Sequence, residues 1–203
     1  MTEALLTAFY QMEEYFQSGG VVMLPLVAVS LLMWMLIVNR VLYFRRLHRK
    51  NMGSRTAWEH IHEDRMPDPK QYRGAVSLLV AEFMRNRKGD PEVDRYILDE
   101  SVLRINRSLE DYLSLIGSLA AVAPLLGLLG TVIGMLITFD VISVFGTGNA
   151  KALAGGISEA LITTQTGLLV AIPGMYMKGF LDKRAQNLKQ RNTIIGYYLR
   201  RQL

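Results

Sequence analysis

The sequence predicts an all-α membrane protein with three transmembrane helices, the second and third continuing beyond the membrane as long helices. Three observations lead there. Three apolar runs are nearly free of charge: Val21 to Val38, Tyr112 to Phe139, and residues 152–177, where Glu159 is the only charge. A bilayer core needs about 20 predominantly apolar residues per helix. Of the 23 Lys and Arg residues, 22 lie either between the first two runs or after the third. Basic residues collect on the cytoplasmic side, so a single topology accounts for nearly all of them. Helix-spaced apolar seams then lead into the second run and out of the third.

The elements follow in chain order. Residues 1–20 hold no Lys or Arg, and Leu5, Phe9, Met12 and Phe16 fall at helical spacing ahead of Gly19-Gly20. This predicts an amphipathic helix on the outer membrane surface. Acidic Glu3, Glu13 and Glu14 argue against a cleavable signal peptide, which begins with positive charge. Transmembrane helix 1 is expected over 21–39, with Pro25 near its start. Residues 40–111 form a cytoplasmic helical loop. In it Ser54 is expected to cap a short helix through Trp58 and His62, and Pro-Asp-Pro-Lys (67–70) to end it. Ala75 to Met84 reads as another helix, and Asp90-Pro91-Glu92 supplies a cap, a proline and an acid for the next.

That next helix carries the seam Leu98, Val102, Ile105, Leu109, Tyr112, Ile116, expected to run unbroken into transmembrane helix 2 over 112–139. A short outer loop follows at 140–151, then transmembrane helix 3 at 152–177. The C-terminal cytoplasmic helix, 178–203, carries a second seam of Leu181, Ala185, Leu188, Asn192, Ile195 and Leu199. Both seams have the spacing of coiled-coil packing.

Several kinds of chemistry are excluded. His48, His60 and His62 lack metal-site spacing. Gly127 to Gly134 is glycine-rich but lacks the Gly-Lys-Ser/Thr that grips phosphate. No paired carboxylates and no Ser-His-Asp set are visible, so neither an enzyme nor a cofactor site is expected. The net charge of +5 reflects topology, and the loop acids Glu59, Glu63, Asp64, Glu92 and Asp94 read as solvated faces, not as part of a nucleic-acid surface.

The small residues of the second span instead form a packing ridge. Gly130-Thr-Val-Ile-Gly134, Gly127 with Thr131, and Gly117 with Ala121 are spaced for close helix approach, as are Gly167 and Ala171 in the third span. The spacing fits packing within one chain and assembly of several alike. On the third helix Thr163 lies about 40° from Glu159 and Thr166 about 20° on its other side, making one polar stripe, while Thr164 lies about 140° away. An ionisable residue within a span is a functional candidate. No Lys or Arg in the spans is available to neutralise it.

"APLLGLLGTVIGM" (123–135) and "GISEALITTQTGLLVAIPG" (156–174) resemble the MotA/TolQ/ExbB proton channel family, most nearly ExbB and TolQ. The resemblance implies a proton-driven motor subunit of the bacterial inner membrane, with a periplasmic N-terminus and a cytoplasmic C-terminus. It implies a homopentamer around two copies of a single-span ExbD- or TolR-like partner whose own aspartate takes up the proton. Matched position by position, Thr131 stands at the family's span-two threonine, and Glu159 and Thr164 at its span-three glutamate and threonine. Thr163 and Thr166 extend the polar lining. Gln165 stands where the family commonly has a small apolar residue. Two other readings are a membrane scaffold in which Glu159 only packs, and a solute transporter. Three spans without an inverted repeat argue against the transporter.

Overall fold

A computed structural model describes residues 18–48, 52–68, 70–72, 74–148 and 150–203. The surface helix expected over residues 1–20 therefore falls outside the described residues, except for its last three. The described chain is helical, without β-strand: α1 (Met23–His48), α2 (Ser54–His62), α3 (Ala75–Asn86), α4 (Pro91–Glu110), α5 (Leu113–Phe145), a 3-10 turn (Gly146–Gly148) and α6 (Ala150–Gln202). Three stretches are long and apolar enough to cross a membrane: Met23–Leu47, Pro91–Gly148 and Ala150–Gln202. The chain forms two compact units, one from the described part of Met1–Leu36 with Leu115–Met177, the other from Ile37–Ser114 with Lys178–Leu203.

The first unit holds the apolar parts of α1, α5 and α6. They converge at Gly174, where an added Cβ would meet the Met33 side chain from α1 and come 3.3 Å from Ala120 Cβ on α5. In this unit Leu26, Met33, Ile116, Ala120 and Ala171 are fully buried. Only 22 to 28% of each apolar stretch is buried by the chain itself. The outward faces, with Leu31, Leu125, Leu136 and Leu169 all more than half exposed, require lipid or another copy against them.

The second unit has a conventional core. Met52, Ala57, Ile61, Val76, Leu79, Val80, Phe83 and Leu98 pack with Ile195 and Leu199, so α2, α3, α4 and the end of α6 share one apolar interior. The whole second seam, Leu181 through Leu199, is buried. Asn106 Nδ2 donates to Thr193 Oγ1 at 3.1 Å, joining α4 to α6. Asp90 caps α4 by accepting from Glu92 N at 3.0 Å, with Pro91 in the first turn. His60 sits edge-on to Tyr72, and His62 stacks on Trp58 one turn away.

Three expectations are corrected. Ser54 is the first residue of α2 and not its cap; Gly53 occupies the cap position without a side-chain hydrogen bond. Asp94 is buried, not solvated: its carboxylate folds back to accept from Lys88 N at 2.7 Å and Gly89 N at 3.1 Å. It thereby closes the turn in which Gly89 takes a φ of 85°.

The third correction is that the seam into span two is interrupted. Helix α4 stops at Glu110, Tyr112 adopts a left-handed φ of 61°, and α5 starts at Leu113. The break costs Ser108 O its intrahelical partner, and Arg40 of α1 supplies one, donating through Nη2 at 3.2 Å. The Arg40 side chain is only 5% exposed, lies 3.6 Å from the Asp111 carboxylate, and has its guanidinium about 5 Å from the rings of both Tyr43 and Tyr112. Arg40→Met keeps the stem but removes the donors, leaving a part-buried carbonyl unpaired at a cost of at most about 1–3 kcal/mol. A lower melting temperature of the solubilised protein is expected; an unchanged one would show that the break stands without Arg40.

Candidate functional site

The only charge on α6 between residues 152 and 177 is Glu159, and its surroundings are set by how α6 packs on α5. Gly127 approaches so closely that a Cβ there would lie 3.0 Å from Thr163 O and 3.1 Å from Thr164 Cα. A Cβ on Gly167 would lie 2.7 Å from Ala123 O, and one on Gly134 2.6 Å from Gly156 O. At Gly130 the place of a side chain is filled by Thr163 itself, and at Gly156 by Thr138 Oγ1. As residue numbers rise along α5 those opposite fall along α6, so the two spans run antiparallel. Small residues permit this approach, and contact over nearly four turns substitutes for the hydrophobic effect that lipid does not provide. Gly127, Gly130, Gly134 and Gly167 thus all lie in a contact within one chain.

The polar residues distribute around that contact. Thr163 is fully buried in it; its hydroxyl is shared between Glu159 O and Ala160 O, both at 3.0 Å. Thr164 Oγ1 lies 3.0 Å from Ala160 O and reaches across to Gly127 O at 3.3 Å. Thr166 donates to Ile162 O at 2.7 Å, and Thr131 to Leu128 O at 2.6 Å. Such back-bonding satisfies a hydroxyl in an apolar setting while leaving its lone pairs available. Gln165 is exposed, on the side of α6 away from α5.

With 100° per residue, Glu159 and Thr164 lie on opposite sides of the α5-facing direction of α6, each about 60–80° from it. Thr131, one turn beyond Gly127 on α5, falls on the Thr164 edge. Thr166 falls on the Glu159 edge. The expected stripe of Glu159, Thr163 and Thr166 is therefore not a single open surface in the chain. Its middle member is packed, and the carboxylate and Thr164 border the α5–α6 contact from two sides.

Glu159 itself is half-buried, and its carboxyl group lies against Gly20, in the turn that leads into α1. This neighbour is 139 positions away in the sequence, where a glycine pair of the kind that ends a helix gives no sign of the contact. Thr138, Gly156 and Gly174 were also missed as packing residues. Thr138 extends the ridge of Gly130 and Gly134 by one turn, and that spacing was the available signal.

The arrangement offers one ionisable group within an apolar span, flanked by hydroxyls and held by close backbone packing. It can carry a proton, and among the described residues of the spans it has no oppositely charged partner.

Comparison with known proteins identifies the family of the chain. Residues 69–193 match the model of the MotA/TolQ/ExbB proton channel family. An ExbB-like biopolymer transport protein of Synechocystis sp. is 32% identical over 175 residues, covering 82% of this chain and 69% of the relative. The biopolymer transport protein ExbB of Neisseria gonorrhoeae is 28% identical over 198 residues, covering 86% of this chain and 89% of that protein. A homologue of ExbB from Methanothermobacter thermautotrophicus is 28% identical and covers 98% of this chain. The matched region contains both spans of the α5–α6 contact, with Thr131, Glu159 and Thr164 inside it. This multi-pass membrane chain belongs to the MotA/TolQ/ExbB proton channel family, on its ExbB side.

Proposed function

We propose that the chain is the polytopic subunit of a proton-driven motor, similar to ExbB with ExbD or TolQ with TolR, that converts proton flow into mechanical work on the cell envelope. The observation that carries this reading is Glu159, a lone carboxyl in an apolar span beside the α5–α6 contact. In this reading five copies form a ring around two copies of a single-span ExbD- or TolR-like partner in the inner membrane. The partner's aspartate is the primary proton acceptor. Thr131 and Thr164 provide polar lining on one edge of the α5–α6 contact, Glu159, as a carboxyl that takes up and releases a proton, provides it on the other edge with Thr166 extending it, and Thr163 borders the pathway from the packed side. Protons are the coupling ion, and no bound cofactor is required. One charge crossing 100 mV releases about 2.3 kcal/mol. In this reading several protons per cycle drive rotation of one ring of helices around another.

In this reading the N-terminus and residues 140–151, which hold the end of α5, the 3-10 turn and the start of α6, face the periplasm, and residues 40–111 and the C-terminal part of α6 face the cytoplasm. The exposed apolar faces of the three spans supply the surface that a ring of copies would cover. A cysteine introduced at Gly148 should react with an impermeant reagent in intact cells, and one at Ser54 or Gln202 should not. Labelling at Ser54 would invert the topology and remove the basis of the reading.

The alternative, a membrane scaffold in which Glu159 only packs, draws on the contact between Glu159 and Gly20. A scaffold predicts that the carboxyl can be replaced by an amide of the same shape without consequence.

A further inference from the structure

Three glycines among the described residues have positive φ: Gly20 at 63°, Gly89 at 85° and Gly146 at 67°. A left-handed backbone alone explains a glycine at the latter two, since a Cβ there would meet nothing within 4 Å. Gly20 is different. The space its side chain would fill is already taken by Oε1, the carboxyl carbon and Cγ of Glu159. Two independent demands, one on backbone and one on space, fall on the same residue, and the second concerns the one carboxyl of the third span.

We infer that Gly20 is a positioning residue for Glu159: by lacking a side chain it lets the carboxyl reach the turn before α1 and fixes where on the α5–α6 edge that group sits. This rests on the proton-carrying role proposed for Glu159. The surrounding geometry favours such a function. Met23 N donates to Gly20 O at 3.2 Å, so the turn is tied to the first residue of α1. Below it Met33 of α1 locks against Gly174 of α6. Span one thus touches span three at two levels, and the upper contact is made by the carboxyl itself. A methyl group at Gly20 must push the carboxyl away, because the opposing atoms belong to a side chain that can rotate while the backbone turn cannot easily shift.

The test is a pair of substitutions in the full chain, reconstituted with its single-span partner in vesicles. Gly20→Ala should reduce partner-dependent proton flux by between about ten- and a hundredfold, the loss expected when a reacting group is displaced by about 1 Å. Glu159→Asp, which withdraws the carboxyl by one methylene, should reduce flux alone but restore most of it in the Gly20→Ala background. Gly146→Ala, with a similar φ and open space, serves as the control for backbone strain and should conduct normally. Normal flux in Gly20→Ala would overturn the inference. So would independent effects of Gly20→Ala and Glu159→Asp, because the loss would then reflect backbone strain alone. If Gly20→Ala fails to assemble, recovery of assembly by Glu159→Asp supports the contact and failure to recover overturns it. Glu159→Gln separates the two levels. Flux lost in that variant, with Gly20 effects independent of residue 159, removes the positioning role alone; flux indifferent to it removes the reading on which that role rests.

Discussion

Glu159→Gln is expected to leave assembly and partner binding intact while abolishing energy-dependent function. The amide keeps the length of the side chain and its fit against Gly20, so packing is preserved. What it loses is the capacity to bind and release a proton. The carboxyl is the only acidic or basic side chain on α6 between residues 152 and 177, and such a group in a span is expensive to retain without a use. Loss of a general proton carrier commonly costs about 10²–10⁴-fold in rate, so residual activity should be near background. The checks are a growth or transport assay that depends on the proton gradient, and native mass of the solubilised complex. A wild-type mass with wild-type activity would make Glu159 a packing residue and favour the scaffold. Thr131→Ala and Thr164→Ala should assemble as well and show partial activity, since each removes a hydroxyl beside the pathway but no charge.

Gly130→Leu should have the opposite signature, losing the assembly itself. The position that a side chain would need is filled by Oγ1, Cβ and Cγ2 of Thr163, and Thr163 is fully buried. Overpacking of a well-filled interior costs about 1–3 kcal/mol and occasionally more. Here the intruding group also separates two backbones along a ridge in which Gly127, Gly134 and Gly167 all depend on the same spacing. The melting temperature should fall, and native mass should show loss of the ring proposed above. A graded pair sharpens the result: Gly130→Ala should destabilise, and adding Thr163→Ala should recover much of the loss by vacating the contested space. Full stability of Gly130→Leu would mean that the α5–α6 contact is looser than the structure shows.

The three spans were legible because lipid imposes a crude demand, about 20 apolar residues without charge, that local sequence must satisfy alone. The glycine ridge was legible for a similar reason, since close approach leaves a repeating trace at every turn. Features that depend on distant partners left no such trace. Nothing around Tyr112 resembles a helix break, for it has no glycine or proline; the break is stabilised by Arg40, some 70 positions earlier. Asp94 looked like an acid on the first turn of a solvated helix, yet it is buried because the preceding turn offers it two backbone N–H groups. Glu159 was identifiable as a candidate from its isolation, but its neighbour was not, because Gly20 reads equally well as the end of a helix. Helical angles placed Thr163 in the polar stripe and could not show that the same residue fills the hollow at Gly130.

Proton uptake by vesicles tests the central claim most directly. The chain should be reconstituted alone, with a single-span partner, and with that partner carrying a substitution of its membrane aspartate, under an imposed potential. The account predicts uptake only when chain and intact partner are present together, with Glu159→Gln reducing it to the level of the chain alone. Uptake by the chain without a partner, or none under any combination while the complex is assembled, would contradict it.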